Sequence, residues 1–155
     1  RGQERRFQFR AHVENSKRAG RRGFKRQTSG AAAEFLHHLK MKFPFRIQAI
    51  QIDGGSEFMD EFEAACRRSK ILLFVNPPHR PEMNGGVERG NRTDREELYE
   101  VKELSLDLAE LNRQVGEYER EFNYDRPHRS LAMKTPHAYY LLWKKSQYTQ
   151  VSRMS

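Results

Sequence analysis

Two short apolar runs constrain this chain most: Ile47, Ala49 and Ile50 to Ile52, and then Ile71 to Val75. Each carries apolar residues at consecutive positions, so a strand built from either is apolar on both faces, which suits a sheet covered by helices on both sides. Between them Phe58, Phe62, Ala65, Cys66 and Ser69 share one helical face, with Ser56 placed to cap it. Before them Ala32, Phe35, Leu36, Leu39 and Phe43 fall at helical spacing from Ser29, and Pro44 closes that helix by pushing its predecessor out of the α region. After them three prolines and two glycines within residues 76–86 exclude regular structure and lead into a helix from about Val87 to Glu100. Asp107-x-x-Glu110 starts another, whose stripe is Leu108, Leu111, Val115, Tyr118 and Phe122, stopped by Asn123 to Pro127. Thr135-Pro136 opens a last short helix through Trp143. The order argues a single α/β layered domain of 155 residues. Two strands are too few for such a sheet, so partner strands are expected upstream of Ser29.

That upstream stretch is where the charge lies. Arg1 to Arg26 holds ten Lys or Arg against Glu4 and Glu14, a net of +8, and the remaining 129 residues carry nineteen bases and nineteen acids. Phe7, Phe9, Ala11 and Val13 alternate as a short strand does, but Ser16 to Thr28 is mostly Lys, Arg and Gly and reads as a loose basic segment. Residues 1–28 are therefore expected to be a basic, poorly patterned arm, either a solvated tail or a holder of DNA phosphates through counterion release. The single Cys66 excludes an internal disulfide framework and reads as a small core residue. No apolar run approaches the roughly 18 residues of a membrane span, and a reducing cytoplasm fits this cysteine usage. His37, His38 and His79 have no metal-ligand spacing and are read as surface or loop residues.

The chemistry-bearing residues sit at element ends. Asp53 follows the first buried strand, at the sheet edge where open α/β proteins usually bind ligands. Taken alone, Asp53-Gly54-Gly55 is equally a turn, since Asp bonds its own backbone and Gly supplies positive φ. Glu88 lies in the first turn of its helix, where an acid is also favoured by the macrodipole. Strand-end acid, helix, strand, loop and helix-borne acid would bring Asp53 and Glu88 to one sheet edge, half of a site for Mg²⁺, which takes carboxylates and substrate phosphates. Arg92 and Arg95 share the face of Glu88 and suit a phosphodiester backbone, with i to i+4 surface pairing as the plainer alternative; Arg89 points elsewhere.

Ile50-Gln51-Ile52-Asp53-Gly54-Gly55-Ser56-Glu57-Phe58, Pro77-Pro78, Asn84-Gly85-Gly86-Val87-Glu88-Arg89-Gly90-Asn91-Arg92-Thr93, Glu96-Glu97-Leu98-Tyr99 and Arg126-Pro127-His128-Arg129-Ser130-Leu131 together resemble the DDE transposase and integrase catalytic core of bacterial insertion sequences. The resemblance spans roughly residues 29–143, leaving 144–155 as a tail. It implies a ribonuclease-H-like core with helices on both faces of a mixed sheet, and DNA cleavage and strand transfer at two Mg²⁺ or Mn²⁺ ions. Asp53 and Glu88 would be its second and third catalytic acids and metal ligands. Arg92, Arg95, Arg89 and Asn84 would face DNA, and Arg126-Pro127-His128 would be structural or DNA-proximal. Mobile-element ends, target DNA and further copies of the chain are the implied partners, in a bacterial cytoplasm.

The resemblance also implies a first catalytic Asp on a central strand, and no aspartate precedes Asp53 in the sequence. The upstream segment is too short for the three strands expected there, so the N-terminal strands are incomplete or missing. Its arginine-rich composition suggests a truncated or frameshifted copy with impaired catalysis; reading the encoding DNA in its other two frames for a strand pattern with an aspartate tests this. A non-catalytic DNA-binding or multimerising fragment, and a structure-directed nuclease of the same fold, are the alternatives.

Overall fold

The computed structural model describes residues 6–13, 18–76, 97–98 and 104–154, with side chains as far as residue 146. Two strands form upstream of the first helix: β1 (Phe7–His12) and β2 (Ala19–Phe24) pair antiparallel, Phe7 opposite Phe24 and His12 opposite Ala19. β1 follows the apolar alternation of its sequence. β2, Ala-Gly-Arg-Arg-Gly-Phe, corrects the expectation of a loose basic segment, and the reason is tertiary.

The outer edge of β2 lies against α3 (Leu108–Arg120) and the π-helical turn Glu121–Asp125 that continues it. Asn123 accepts from the Ala19 amide at 3.2 Å and donates to its carbonyl at 3.0 Å. The Glu119 carboxylate accepts from the Arg21 amide at 2.5 Å, and Asn112 accepts from Gly23 N at 2.7 Å and donates to its carbonyl at 3.1 Å. Residues 19, 21 and 23 present alternate amides to one edge of the strand, while 112, 119 and 123 recur seven and four apart on one helix face. Three polar side chains thus stand where a neighbouring strand would hydrogen-bond, one way of managing an otherwise open edge. The arginines are held as well. The Arg21 guanidinium lies 4.9 Å from the ring centroids of both Tyr118 and Phe122, and Arg18 lies 5.3 Å from that of Tyr124. Both arginines are 2% exposed, so this part of the supposed arm belongs to the interior.

α1 (Ser29–Lys42) forms as its spacing predicts: Thr28 Oγ1 caps the Ala31 amide at 3.1 Å, and Ala32, Phe35, Leu36 and Leu39 are buried. Gly20 lets this helix approach β2, because a Cβ there would sit 2.4 Å from Leu39 Cδ2. Phe9 joins the hairpin to the same core, stacked on Phe35 at 5.7 Å and edge-on to Phe24 at 5.5 Å.

The two apolar runs become β3 (Ala49–Ile52) and β4 (Leu72–Val75), parallel, with Ala49 opposite Leu72 and Ile52 opposite Val75. Ile50, Ile52 and Leu73 pack on the core, but Leu72 and Phe74 on the other face are 63% and 56% exposed. Among the described residues α1 and α2 (Asp60–Arg68) pack on the core side of this sheet. Ser56 does not cap α2. Ser56–Phe58 is a 3₁₀ turn, and the start of α2 is held by Ser29 of α1, whose hydroxyl donates to Met59 O at 2.5 Å and accepts from Phe62 N at 3.1 Å. Cys66 is buried within this core as expected, and burial raises its thiol pKa.

α3 starts as its capping pattern predicts, Asp107 Oδ2 accepting from Glu110 N at 3.0 Å, and buries Leu111, Val115 and Tyr118. α4 (Pro136–Met154) opens at the expected proline but runs well past Trp143, a correction consistent with the absence of Pro and Gly from residues 144–154. Arg126 grips the Glu97 carboxylate with both guanidinium amino groups, one at 2.6 Å, and Tyr118 Oη donates to the same carboxylate at 2.9 Å. The hydrogen bonds from Arg126 hold Glu97 below the usual carboxylate range. His128 lies 4.6 Å from the Phe122 ring, so Arg126 and His128 both serve packing here. Replacing Arg126 by Ala is expected to cost about 1–2 kcal/mol at pH 7, the value for a charged hydrogen bond discounted for its half-exposed setting. Because Glu97 is stabilised in its ionised form, the difference should shrink as pH falls below 4.5, its ordinary value. Urea titrations at pH 7 and pH 3 would check both statements. Among the described residues no helix is long and apolar enough to cross a membrane.

Candidate active site

Asp53 follows the last residue of β3 and is exposed. Its Oδ1 accepts from the Gly55 amide at 2.9 Å, the local turn its sequence allows. The glycines serve differently from expectation, since no described glycine has positive φ and Gly55 sits at −63°. A Cβ on Gly55 would meet the Glu57 carboxylate at 2.7 Å, so the missing side chain makes room for Glu57 to fold back over the turn. Gln27 Nε2 donates to that carboxylate at 3.3 Å. Beside them β3 and β4 are tied together at their ends: Asn76 N donates to Ile52 O at 2.8 Å, and the Gln51 amide donates to the Asn76 side chain.

Asp53 and Glu57 line a cleft of about 900 Å³ that also takes in β1 from Gln8, β3 along its whole length, Phe35 and Leu39 of α1, and Tyr139 and Trp143 of α4. The ladders explain where it lies. β1 pairs with β2 and β3 with β4, so among the described strands the two sheets rest on one core without hydrogen-bonding to each other. The cleft runs between them, with Arg10 and Arg46 as its basic side chains and Asp53 beside the end of β3.

Of the residues singled out in sequence, Asp53 is placed in this cleft. Glu88, Asn84, Arg89, Arg92 and Arg95 lie outside the described residues, as does His79. Glu57 was not singled out, because an acid after a capping serine reads as an ordinary first-turn residue; Gly55 two positions earlier was the available signal. Asp53 and Glu57 suit a hard cation in kind, as oxygen donors. In number they fall short of a two-ion centre, and no group of three His, Cys, Asp or Glu side chains with metal-binding proximity exists among the described residues. Burial, then the charges of Arg22 and Lys42, lower the His38 pKa to about 4, so its imidazole is neutral near pH 7.

Residues 69–136 match the family model described as "Integrase core domain". The integrase-like ORF3 protein of Spiroplasma virus SpV1-C74 is 24% identical over 119 residues, covering 68% of this chain, which spans about a third (33%) of that protein. A chain of the simian T-cell lymphotropic virus intasome, solved with the PP2A regulatory subunit B56 gamma, superposes with a TM-score of 0.67 at 25% identity, over 78% of this chain and 43% of that one. The catalytic core domain of BIV integrase superposes with a TM-score of 0.65 at 19% identity, over 95% of this chain and 99% of that one. By sequence residues 69–136 are thus similar to integrase core domains, and the chain has the ribonuclease-H-like fold of the retroviral integrase catalytic cores.

Proposed function

We propose that this chain is the core of a DNA transposase or integrase, acting on mobile-element ends and target DNA by metal-dependent cleavage and strand transfer, and working as a homo-oligomer. The observation that carries the reading is Asp53: an exposed carboxylate beside the end of β3, in a cleft, on a chain whose residues 69–136 match an integrase core domain. Glu88 falls within that matched stretch and is the second acid of the proposal, with Glu57 added by the geometry. Asp53, Glu57 and Glu88 would hold Mg²⁺ or Mn²⁺, which when bound stabilises charge on the entering and leaving oxygens of a phosphodiester. The chain's own part is to present Asp53 and Glu57 beside the end of β3 and to seat the DNA backbone, with Arg89, Arg92, Arg95 and Asn84 proposed as its contacts.

A second reading rests on one observation: no aspartate precedes Asp53, so the acid expected on a central strand is absent from these 155 residues. Under that reading the chain binds DNA or other copies of itself without cutting. Nicking of end-sequence DNA in Mg²⁺ or Mn²⁺ decides between them. The first predicts weak, chelator-sensitive nicking that disappears in Asp53→Asn and Glu88→Gln with DNA binding retained. Binding without nicking in the unmodified chain selects the second, and nicking that survives both substitutions removes the proposed site.

A further inference from the structure

A second cleft, of about 590 Å³, lies on the other flank of the hairpin, between β2, α1 and α3. It includes no residue of β1 and shares only Phe43 with the Asp53 cleft. Its volume is in the range of small-ligand pockets, roughly 300–1,000 Å³, but its lining is unusual in charge. Arg18, Arg21, Arg22, Lys42, Arg113 and Arg120 surround it, against a single carboxylate, Glu119.

Some of these cations have structural duties. Arg113 is committed to Glu110 and Glu117, at 2.5 Å each, and Arg18 and Arg21 lie against aromatic rings. Arg22, Lys42 and Arg120 have no such account, since none forms an ion pair with a described carboxylate. They come from three different elements, so chain proximity does not explain their meeting. Their fields converge: Arg22 and Lys42 both depress the titration of His38, and Lys42, Arg18 and Arg21 all act on Glu119. Burial raises the Glu119 pKa to about 7, so near neutrality the one acid is only partly charged. Like charges gathered in a concave, low-dielectric wall focus a positive potential and concentrate anions there. Guanidinium and ammonium groups in that arrangement match phosphate oxygens, which accept several charge-assisted hydrogen bonds at once.

We propose that the cleft between β2, α1 and α3 is a phosphate-binding site, separate from the Asp53 cleft, that takes two or more phosphate groups held close together. Two sources offer that chemistry, the backbone of DNA and a free polyphosphate.

The test uses the full 155-residue chain with two ligands, inorganic triphosphate by calorimetry and a labelled 12-base-pair duplex by fluorescence anisotropy. Lys42→Ser with Arg120→Ser removes two exposed cations from the cleft. Arg67→Ser with Arg68→Ser removes two exposed cations of α2 that line neither cleft. Circular dichroism confirms that both variants fold. The expected result is a loss of at least about tenfold in triphosphate affinity in the cleft variant and less than about twofold in the α2 variant. If the duplex loses affinity in parallel and its salt slope falls by about 1.8, two phosphate contacts at roughly 0.9 each, the source is DNA backbone. If the duplex is unaffected while triphosphate binding falls, the source is a free polyphosphate. Equal losses in the two variants, or no triphosphate binding by the unmodified chain at about 1 mM in low salt, overturns the site.

Discussion

Asn123→Ala should lower the unfolding free energy by about 3 kcal/mol. The Asn123 side chain makes two hydrogen bonds to one residue, accepting from the Ala19 amide and donating to the Ala19 carbonyl, where Asn123 is 4% exposed and Ala19 is fully buried. Truncation leaves both backbone groups in the interior without that partner. An orphaned buried donor or acceptor costs roughly 1–3 kcal/mol, and water has little room to take over at a site this closed. For a domain whose total stability lies around 5–15 kcal/mol the loss is large. Asn112→Ala is the comparison, since Asn112 makes the same pair of bonds to Gly23 in a part-buried setting that water can reach. It should cost about 1 kcal/mol. Urea denaturation of both variants with unchanged m-values would establish the ranking, and equal costs would mean that burial is not what makes Asn123 matter.

The same residue shows where the sequence could be read and where it could not. α1, β3, β4 and the start of α3 were legible because each carries its own signal: Leu36 and Leu39 at helical spacing, consecutive apolar residues in β3, Asp107 three residues before Glu110. β2 was not. Its Gly-Arg-Arg-Gly core looks like a loop because what makes it a strand lies elsewhere in the chain, as in the pairing of Ala19 with Asn123, 104 residues on. Composition assigned Arg18 and Arg21 to solvent, whereas the rings of Tyr118, Phe122 and Tyr124 receive them in the interior. The start of α2 was misassigned for a similar reason, its polar partner being Ser29 from α1 and not the nearby Ser56. In the site, Asp53 was visible because a strand end followed by glycines is a local pattern. Glu57 was hidden, since its approach to the turn depends on the space left by Gly55. The pairing of Asp53 with Glu88 rests on motif order, and the cleft between β1 and β3 could not be anticipated from either strand alone.

Glu119→Gln should stabilise the protein at pH 8 by up to about 3 kcal/mol and leave it nearly unchanged at pH 4. Burial raises the carboxyl to about 7 from its ordinary 4.5, against the smaller opposing effects of Arg21, Lys42 and Arg18. The folded state therefore binds the Glu119 proton more tightly than the unfolded chain does. Below 4.5 the group is protonated in both states and its contribution to stability is fully present. Between 4.5 and 7 that contribution is lost as pH rises, at up to about 1.4 kcal/mol per pH unit, and above 7 the loss levels off. A folded value near 7 against 4.5 unfolded corresponds to roughly 3 kcal/mol in total. Glutamine keeps the oxygen that accepts from the Arg21 amide and has no proton to release, so the β2 edge stays closed while the pH dependence disappears. Melting temperatures of the two proteins measured from pH 4 to pH 8 should coincide at the acid end and diverge above pH 5. A variant less stable than the parent at pH 8 would mean that the ionised carboxylate, held by Arg18, Arg21 and Lys42, is itself a net stabilising group, and that the cations of this flank are matched to Glu119 instead of an external phosphate.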